Sequence, residues 1–170
     1  MKKVLSLIIS AILLVACFAS CGGTHASAKA LDGYLAPLKS GDFDEAVILS
    51  QNPFADESLE LLEAMYKNFD YKIGDVTVKD GFADVAVSIT MTDIGKVFSD
   101  YLAKAMSEGN VTEEMFYDML LAEDAPIKTF DIKVNMYEMS GEWVLSEGAE
   151  ELSDALTGGL ISSLGGLVTD

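Results

Sequence analysis

Tyr71-Lys72-Ile73-Gly74-Asp75-Val76-Thr77-Val78 runs into Lys79-Asp80-Gly81, and the chain then returns through Val85, Val87, Ile89 and Met91 alternating with Asp84, Ala86, Ser88 and Thr90. The second run repeats its apolar residues every two positions, the period of a strand with one face in the core and one partly wet. Asp-Gly between two such runs is a strong hairpin signal, because both central positions of the favoured two-residue turn need positive φ. This hairpin fixes the frame, and everything on either side of it changes period.

Upstream the spacing is helical. Leu31, Tyr34, Leu35 and Leu38 recur at i, i+3, i+4 and i+7, and Ser40-Gly41 stops that helix. Pro37 removes the hydrogen bond to the Gly33 carbonyl, which predicts a kink. Asp42-Phe43-Asp44-Glu45 reads as the capping box of a second helix rather than a calcium loop, which needs alternating ligands, a central Gly and a distant Glu. After the break at Asn52-Pro53, a third helix carries Leu59, Leu62, Met65, Tyr66 and Phe69.

Downstream, Thr92-Asp93 caps a helix with Ile94, Val97, Phe98, Tyr101, Leu102 and Ala105 on one stripe, ended by Gly109-Asn110. Thr112 opens a shorter helix with Met115, Met119 and Leu120, which stops before Ala125-Pro126. Phe130, Ile132, Val134 and Met136 then alternate with Asp131, Lys133 and Asn135 in a long strand. Ser140-Gly141 turns it into Trp143-Val144-Leu145. The tail, 149–168, places Leu152, Leu156, Leu160 and Leu164 in one helical row, read as a single docked C-terminal helix loosened by Gly158-Gly159 and Gly165-Gly166. Its uncharged part would reach only about 21 Å as a helix, short of the roughly 30 Å of a membrane core. Helices, a hairpin, an inserted helical pair and a second hairpin make an α+β domain: N-terminal helices packed on an antiparallel sheet of about four strands.

The beginning of the chain has a different character. Met1-Lys2-Lys3 is followed by an apolar run from Val4 to Ala16, the layout of a secretory signal. The run is near the lower length limit of a span, and no stop-transfer charge follows it, which sets aside an uncleaved anchor. The two cysteines, Cys17 and Cys21, both lie at its end, so neither can staple a distant part of the fold. Phe18-Ala19-Ser20-Cys21 resembles the lipobox of bacterial lipoproteins, with Phe18 where that motif has an aliphatic residue. Leu14-Val15-Ala16-Cys17 fits the same letters. Cys21 is preferred as the lipidated residue, because Gly22-Gly23-Thr24 is the kind of small polar run that follows it in such proteins. The resemblance implies a signal peptide over 1–20, a flexible tether over 21–28 and one domain over 29–170. It also implies a protein held at the extracytoplasmic face of the cell membrane by two or three acyl chains. Each buried methylene contributes about 0.8 kcal/mol, and one chain alone is marginal.

From Cys21 onward the chain has 150 residues, enough for one domain that buries roughly 70% of its extended surface. Two of the 11 lysines lie in the signal, which has no acids, leaving nine bases against 28 acids and a net charge of −19. Every base is Lys. A chain so acidic and without Arg has no footprint for nucleic acid and no guanidinium clamp for phosphate. The same charge is expected to repel anionic lipid and hold the domain off the membrane.

The order of elements resembles the small lipoproteins with a nuclear-transport-factor-2-like (cystatin-like) fold. The residues carrying that likeness are the Leu38-to-Ala46 helix junction, the Val85-to-Asp93 strand running into a helix, and the Met139-to-Leu145 hairpin. It implies a curved sheet wrapped around helices, often leaving a cone-shaped cavity, with a longer inserted helical pair than the simplest members have. Phe98, Tyr101, Met136 and Trp143 are the candidates to line such a cavity, ordinary core packing being the alternative. Enzymes of that superfamily generally use a His or Asp in the cavity, and the sole histidine, His25, falls in the tether.

The reactive constellations are missing from the sequence. No base accompanies a Ser or Cys nucleophile, no Cys/His set suits zinc, and the glycine pairs lack the spacing and Lys of a phosphate loop. No cofactor is expected. Acid pairs exist in plenty, so a carboxylate-dependent hydrolase or isomerase stays open, although Asp84 and Asp131 sit on polar strand faces. Two non-catalytic readings stand beside it. One is binding of a small apolar ligand, a peptide or an envelope protein. The other is assembly through the Leu152–Leu164 row.

Overall fold

The computed structural model describes residues 25–42, 59–109, 111–146 and 149–168. Both candidate lipidation cysteines, the signal segment, and the second helix expected after Asp42 with its Asn52-Pro53 break fall outside them.

The described residues form six helices and one sheet: α1 (Ala26–Ser40), α2 (Leu59–Tyr66), β1 (Asp70–Lys79), β2 (Phe82–Thr92), α3 (Ile94–Glu108), α4 (Glu113–Leu121), β3 (Ile127–Met139), β4 (Glu142–Leu145), α5 (Glu150–Leu156) and α6 (Leu160–Val168). The strands pair antiparallel in the order β1-β2-β3-β4, so the α3–α4 pair is inserted at one end without disturbing the sequential pairing. The fold is α+β, with the four strands the alternation predicts.

Register follows from the turns. Asp80 (φ 52°) and Gly81 (φ 81°) lie in the left-handed region, as do Ser140 (φ 55°) and Gly141 (φ 88°), which matches the right-handed twist of the strands each turn joins. Val85, Val87, Ile89 and Met91 pair with Val134, Ile132, Phe130 and Lys128. All four of those β2 side chains are buried, with Phe130, Val134 and Met136 beside them. A bulge between Ile73 and Val76 sets two residues of β1 against Ala86.

Helix α1 crosses the core face of this sheet. Ala28, Leu31, Leu35 and Leu38 are buried on one side of it. Its last turn is tied to β1 by Lys39 and Asp70, and its N-cap, His25, meets Trp143 of β4 edge-to-face with ring centroids 5.5 Å apart. Fifteen helical residues span about 22 Å, while three strand spacings span about 14 Å. A diagonal crossing therefore lets one helix touch both sheet edges. The helix runs unbroken through Pro37, and Gly41 in the left-handed conformation (φ 74°) ends it where Ser40-Gly41 was expected to. It starts earlier than the sequence suggests. Ser27 and Ala28 are buried in its first turn, so residues 26–28 belong to the domain rather than to a tether ending at residue 28.

The C-terminal tail also departs from expectation. It is two helices rather than one, broken where Gly158 (φ 58°) and Gly159 (φ 77°) turn the backbone into a conformation helices do not contain. Leu152, Leu156 and Leu160 are buried, but Leu164, the fourth of the row, is 42% exposed. The break serves packing. The Gly95 amide donates to the Gly158 carbonyl at 3.0 Å. A Cβ on Gly95 would lie 2.6 Å from the Gly159 carbonyl oxygen, and one on Gly158 would lie 2.9 Å from the Ile94 nitrogen. Two backbones approach here with no room for a side chain. Asp154 of α5 then caps the next helix, accepting from the Ser162 amide at 2.8 Å and its hydroxyl at 2.9 Å.

These contacts separate two glycine substitutions of the same kind. Gly33, mid-helix in α1, has open space where a Cβ would go, so Gly33→Ala should stabilise by about 0.5–1 kcal/mol. Gly95→Ala should destabilise by about 1–3 kcal/mol, because the added methyl meets the Gly159 backbone carbonyl as well as the Ser163 hydroxyl. Denaturant midpoints of the two variants, moving in opposite directions, check this.

Candidate functional site

The four residues selected as cavity-lining fall in three settings. Phe98 and Tyr101, on α3, both meet Phe116 of α4, at centroid distances of 6.3 and 5.5 Å in edge-to-face contact. Met136 is fully buried in the main core between Ala83 and Leu145. Trp143 is half-buried on β4 against His25. The first pair holds the inserted helices together, and it does so where α3 is leaving the core: Ile94 and Val97 are buried, whereas Met106 near its end is open to solvent.

His25 is more than a residue of the tether. Its Nδ1 accepts from the Ser27 amide at 3.2 Å, capping α1, while its ring packs on Trp143. Nothing local marks this role in the sequence, because Trp143 is 118 positions away and reaches His25 only through the fold.

Asp84 and Asp131 face outward on their strands. Asp84 accepts from the Asn135 amide and Asp131 from the Ser88 hydroxyl, with Thr90 and Thr129 hydroxyls 2.9 Å apart one step further along. Asp84 and Ser88 are four residues apart on β2, so the two acids stand about 14 Å apart along the strands. Glycosidase carboxylate pairs stand about 5–9.5 Å apart. Asp84 and Asp131 are therefore a solvated polar ladder and not a working pair. Among the described residues, no group of three or more His, Cys, Asp or Glu is placed to hold a metal ion, and no helix is long and apolar enough to cross a membrane.

At the hairpin-turn end this outer face changes character. Phe82, Tyr137 and Val144 are neighbours in one row across β2, β3 and β4, and Met139 follows one step out. Phe82 is 59% exposed and Met139 53%. Lys79, Asp80 and Glu142 flank them. His25 belongs to the same end, since Trp143 pairs with Glu138, whose amide donates to the Gly81 carbonyl at 3.0 Å.

The opposite end is welded by charge. Lys39 donates to Asp70 at 2.5 Å, the Tyr71 amide donates to the same carboxylate oxygen at 2.9 Å, and the Tyr71 hydroxyl donates to Asp32 at 2.6 Å. The Lys39 ammonium, with help from the Tyr71 amide, holds the Asp70 carboxyl below its ordinary range. Burial pushes the Tyr71 phenol well above its ordinary value, and the hydrogen bond to Asp32 adds to this. No family model, curated protein or solved structure matches this chain.

The two shifts act at opposite ends of the pH scale. Asp70 ionises more readily when folded, so its stabilisation is present at neutral pH and fades as pH falls below about 4. Tyr71 ionises less readily when folded, so its contribution is present below about pH 10 and is lost as pH rises beyond that. In alkaline absorbance titration, Tyr71→Phe should shrink the late-ionising fraction by one phenol and flatten the loss of stability above pH 10.

Proposed function

We propose that this chain is a lipid-anchored extracytoplasmic protein that acts by binding a small apolar ligand, a peptide or an envelope partner, without catalysis. The observation that carries the reading is the basic start and apolar run ending in Phe18-Ala19-Ser20-Cys21, which stops four residues before the folded body begins at His25. The sole histidine is engaged in a helix cap, and Asp84 and Asp131 are spent on neighbouring side chains, which favours binding over turnover. The finer assignment to the nuclear-transport-factor-2-like (cystatin-like) group is part of the same proposal. Its support is a helix laid diagonally over a four-stranded antiparallel sheet with a helical pair inserted between β2 and β3.

Acylation is measurable on the native protein. Mass spectrometry of the mature N-terminal peptide should find a diacylglyceryl-modified Cys21, and Cys21→Ser should leave an unprocessed, unlipidated precursor, while Cys17→Ser changes neither. An unmodified peptide beginning at Met1 would overturn the reading.

A second reading, self-assembly through the C-terminal helix, is favoured by one feature. Ile161 is 45% exposed and Leu164 42% on α6, while the leucines before them serve the core. Deleting the tail would therefore damage the fold, and the sharper variant is Ile161→Glu with Leu164→Glu. If this face mediates assembly, the double variant should sediment as a smaller species than the parent. Equal sedimentation dismisses it.

A further inference from the structure

The position of the first folded residue limits how the domain can stand on a membrane. Ser27 and Ala28 are buried in the first turn of α1, so the body is anchored from His25 onward. Only Gly22, Gly23 and Thr24 separate His25 from Cys21. Four peptide units reach at most about 14 Å. His25 packs on Trp143, and Trp143 is two strands, or about 10 Å, from the Asp80-Gly81 turn. The hairpin-turn end of the sheet is thus the end an acylated Cys21 would hold against the bilayer. The far end of β3 cannot approach it so closely, since Ile127 lies ten residues, about 33 Å, along the strand from Tyr137.

Exposed apolar side chains are present at both ends, with Phe82 and Met139 at the turn end and Ile127, 57% exposed, at the other. Exposure alone does not choose between them. The tether selects the turn end: it leaves from His25 on the core side of β4, and the exposed row lies on the outer side of that same end. We propose that the hairpin tip, Phe82 with Tyr137, Met139 and Val144, is a lipid-contacting surface seated in the headgroup region, fixing the orientation of the domain. This rests on the reading that Cys21 is acylated, because eight peptide units from Cys17 would reach about 28 Å and leave the domain free to turn.

Two aromatics, a methionine and a valine suit the headgroup–acyl boundary, where partly apolar side chains gather. Asp80 and Glu142 flank the apolar row and Lys79 lies beside Phe82, while Glu138 stands at the same end on the opposite face. Those acids set the depth by keeping the turns at the wet level of the headgroups, and they make the seating weaker on anionic than on zwitterionic lipid. The outer face beyond them, from Asp84 to Thr129, is the polar ladder and stays in water.

The test uses full-length acylated protein in phosphatidylcholine vesicles carrying brominated acyl chains. Phe82→Trp and Ile127→Trp each place a reporter at an exposed position, and the parent, with Trp143 as its only tryptophan, supplies the baseline. The reporter at position 82 should be blue-shifted and quenched several-fold more than the one at 127, and less so when anionic lipid is added. Equal quenching at both positions, with acylated Cys21 confirmed by mass, overturns the tip and leaves the anchor intact. An unacylated Cys21 removes the anchor reading, and the proposed orientation falls with it. Emission at position 82 that shifts with protein density but not with brominated lipid would make a second copy the occupant and overturn the lipid contact.

Discussion

The burial of α1 against the sheet is the constraint from which most of this structure follows. Ala28, Leu31, Leu35 and Leu38 supply a single apolar stripe, and the strands supply the other half of the core through their inward residues. Because the helix is longer than the sheet is wide, it lies diagonally and ends over both edge strands. Its C-terminal end is locked to β1 by Lys39, Asp70, Tyr71 and Asp32, its N-terminal end to β4 by His25 and Trp143. β4 has only four residues, so the helix end beside it completes a surface that the strand alone could not bury.

The second constraint is the glycine contact between α3 and the α5–α6 turn. Thr92 ends β2 and Asp93 caps α3 by accepting from the Lys96 amide at 2.9 Å, so the sheet hands directly into the inserted pair. Gly95 then lets Gly158 and Gly159 close over that junction. The tail is thereby clamped to the end of the sheet opposite the turns. α3 is held at its base, while its outer half relies on Phe98 and Tyr101 meeting Phe116. This division explains why a stripe that continues evenly along the sequence is buried only at its beginning.

Legibility in the sequence divides along the same physical line. The strands, both tight turns and the caps at Asp93 and Thr112 are written in neighbouring residues: alternation, Asp-Gly, Ser-Gly, and a hydrogen-bonding side chain ahead of an apolar stripe. The tail is not. Leu152, Leu156, Leu160 and Leu164 keep helical spacing across a break that two glycines impose, and the reason for the break is the backbone of Gly95, some 60 residues away. The start of α1 was hidden for a similar cause, since Ser27 and Ala28 look like linker residues until the sheet covers them. The candidate cavity set failed to gather because aromatic or soft character marks a residue for burial without saying which of several clusters it joins. The weld at Tyr71 has no sequence signal, because Asp32 and Lys39 reach it from another element.

Charge and distance together decide what an anchor at Cys21 would mean. A body of net charge −19 is repelled by anionic headgroups, which at first suggests a domain floating clear of the surface. Floating needs slack. At physiological ionic strength charges are screened over about 8 Å and the tether to His25 extends at most about 14 Å, so retreat relieves the tethered end only in part. The end about 33 Å along β3, by contrast, can swing well beyond the screening length. Repulsion then acts as a torque. The chain leaves β2 at Thr92 and returns at Ile127, so Asp93, Glu123, Asp124 and the acids of the inserted pair are attached at the end remote from His25. Turning that end outward lowers the electrostatic energy and brings the hairpin tip down, and the apolar residues there give the rotated state something to contact. On this view the acidity that keeps the domain soluble also helps to orient it, and the short linker is what converts one effect into the other.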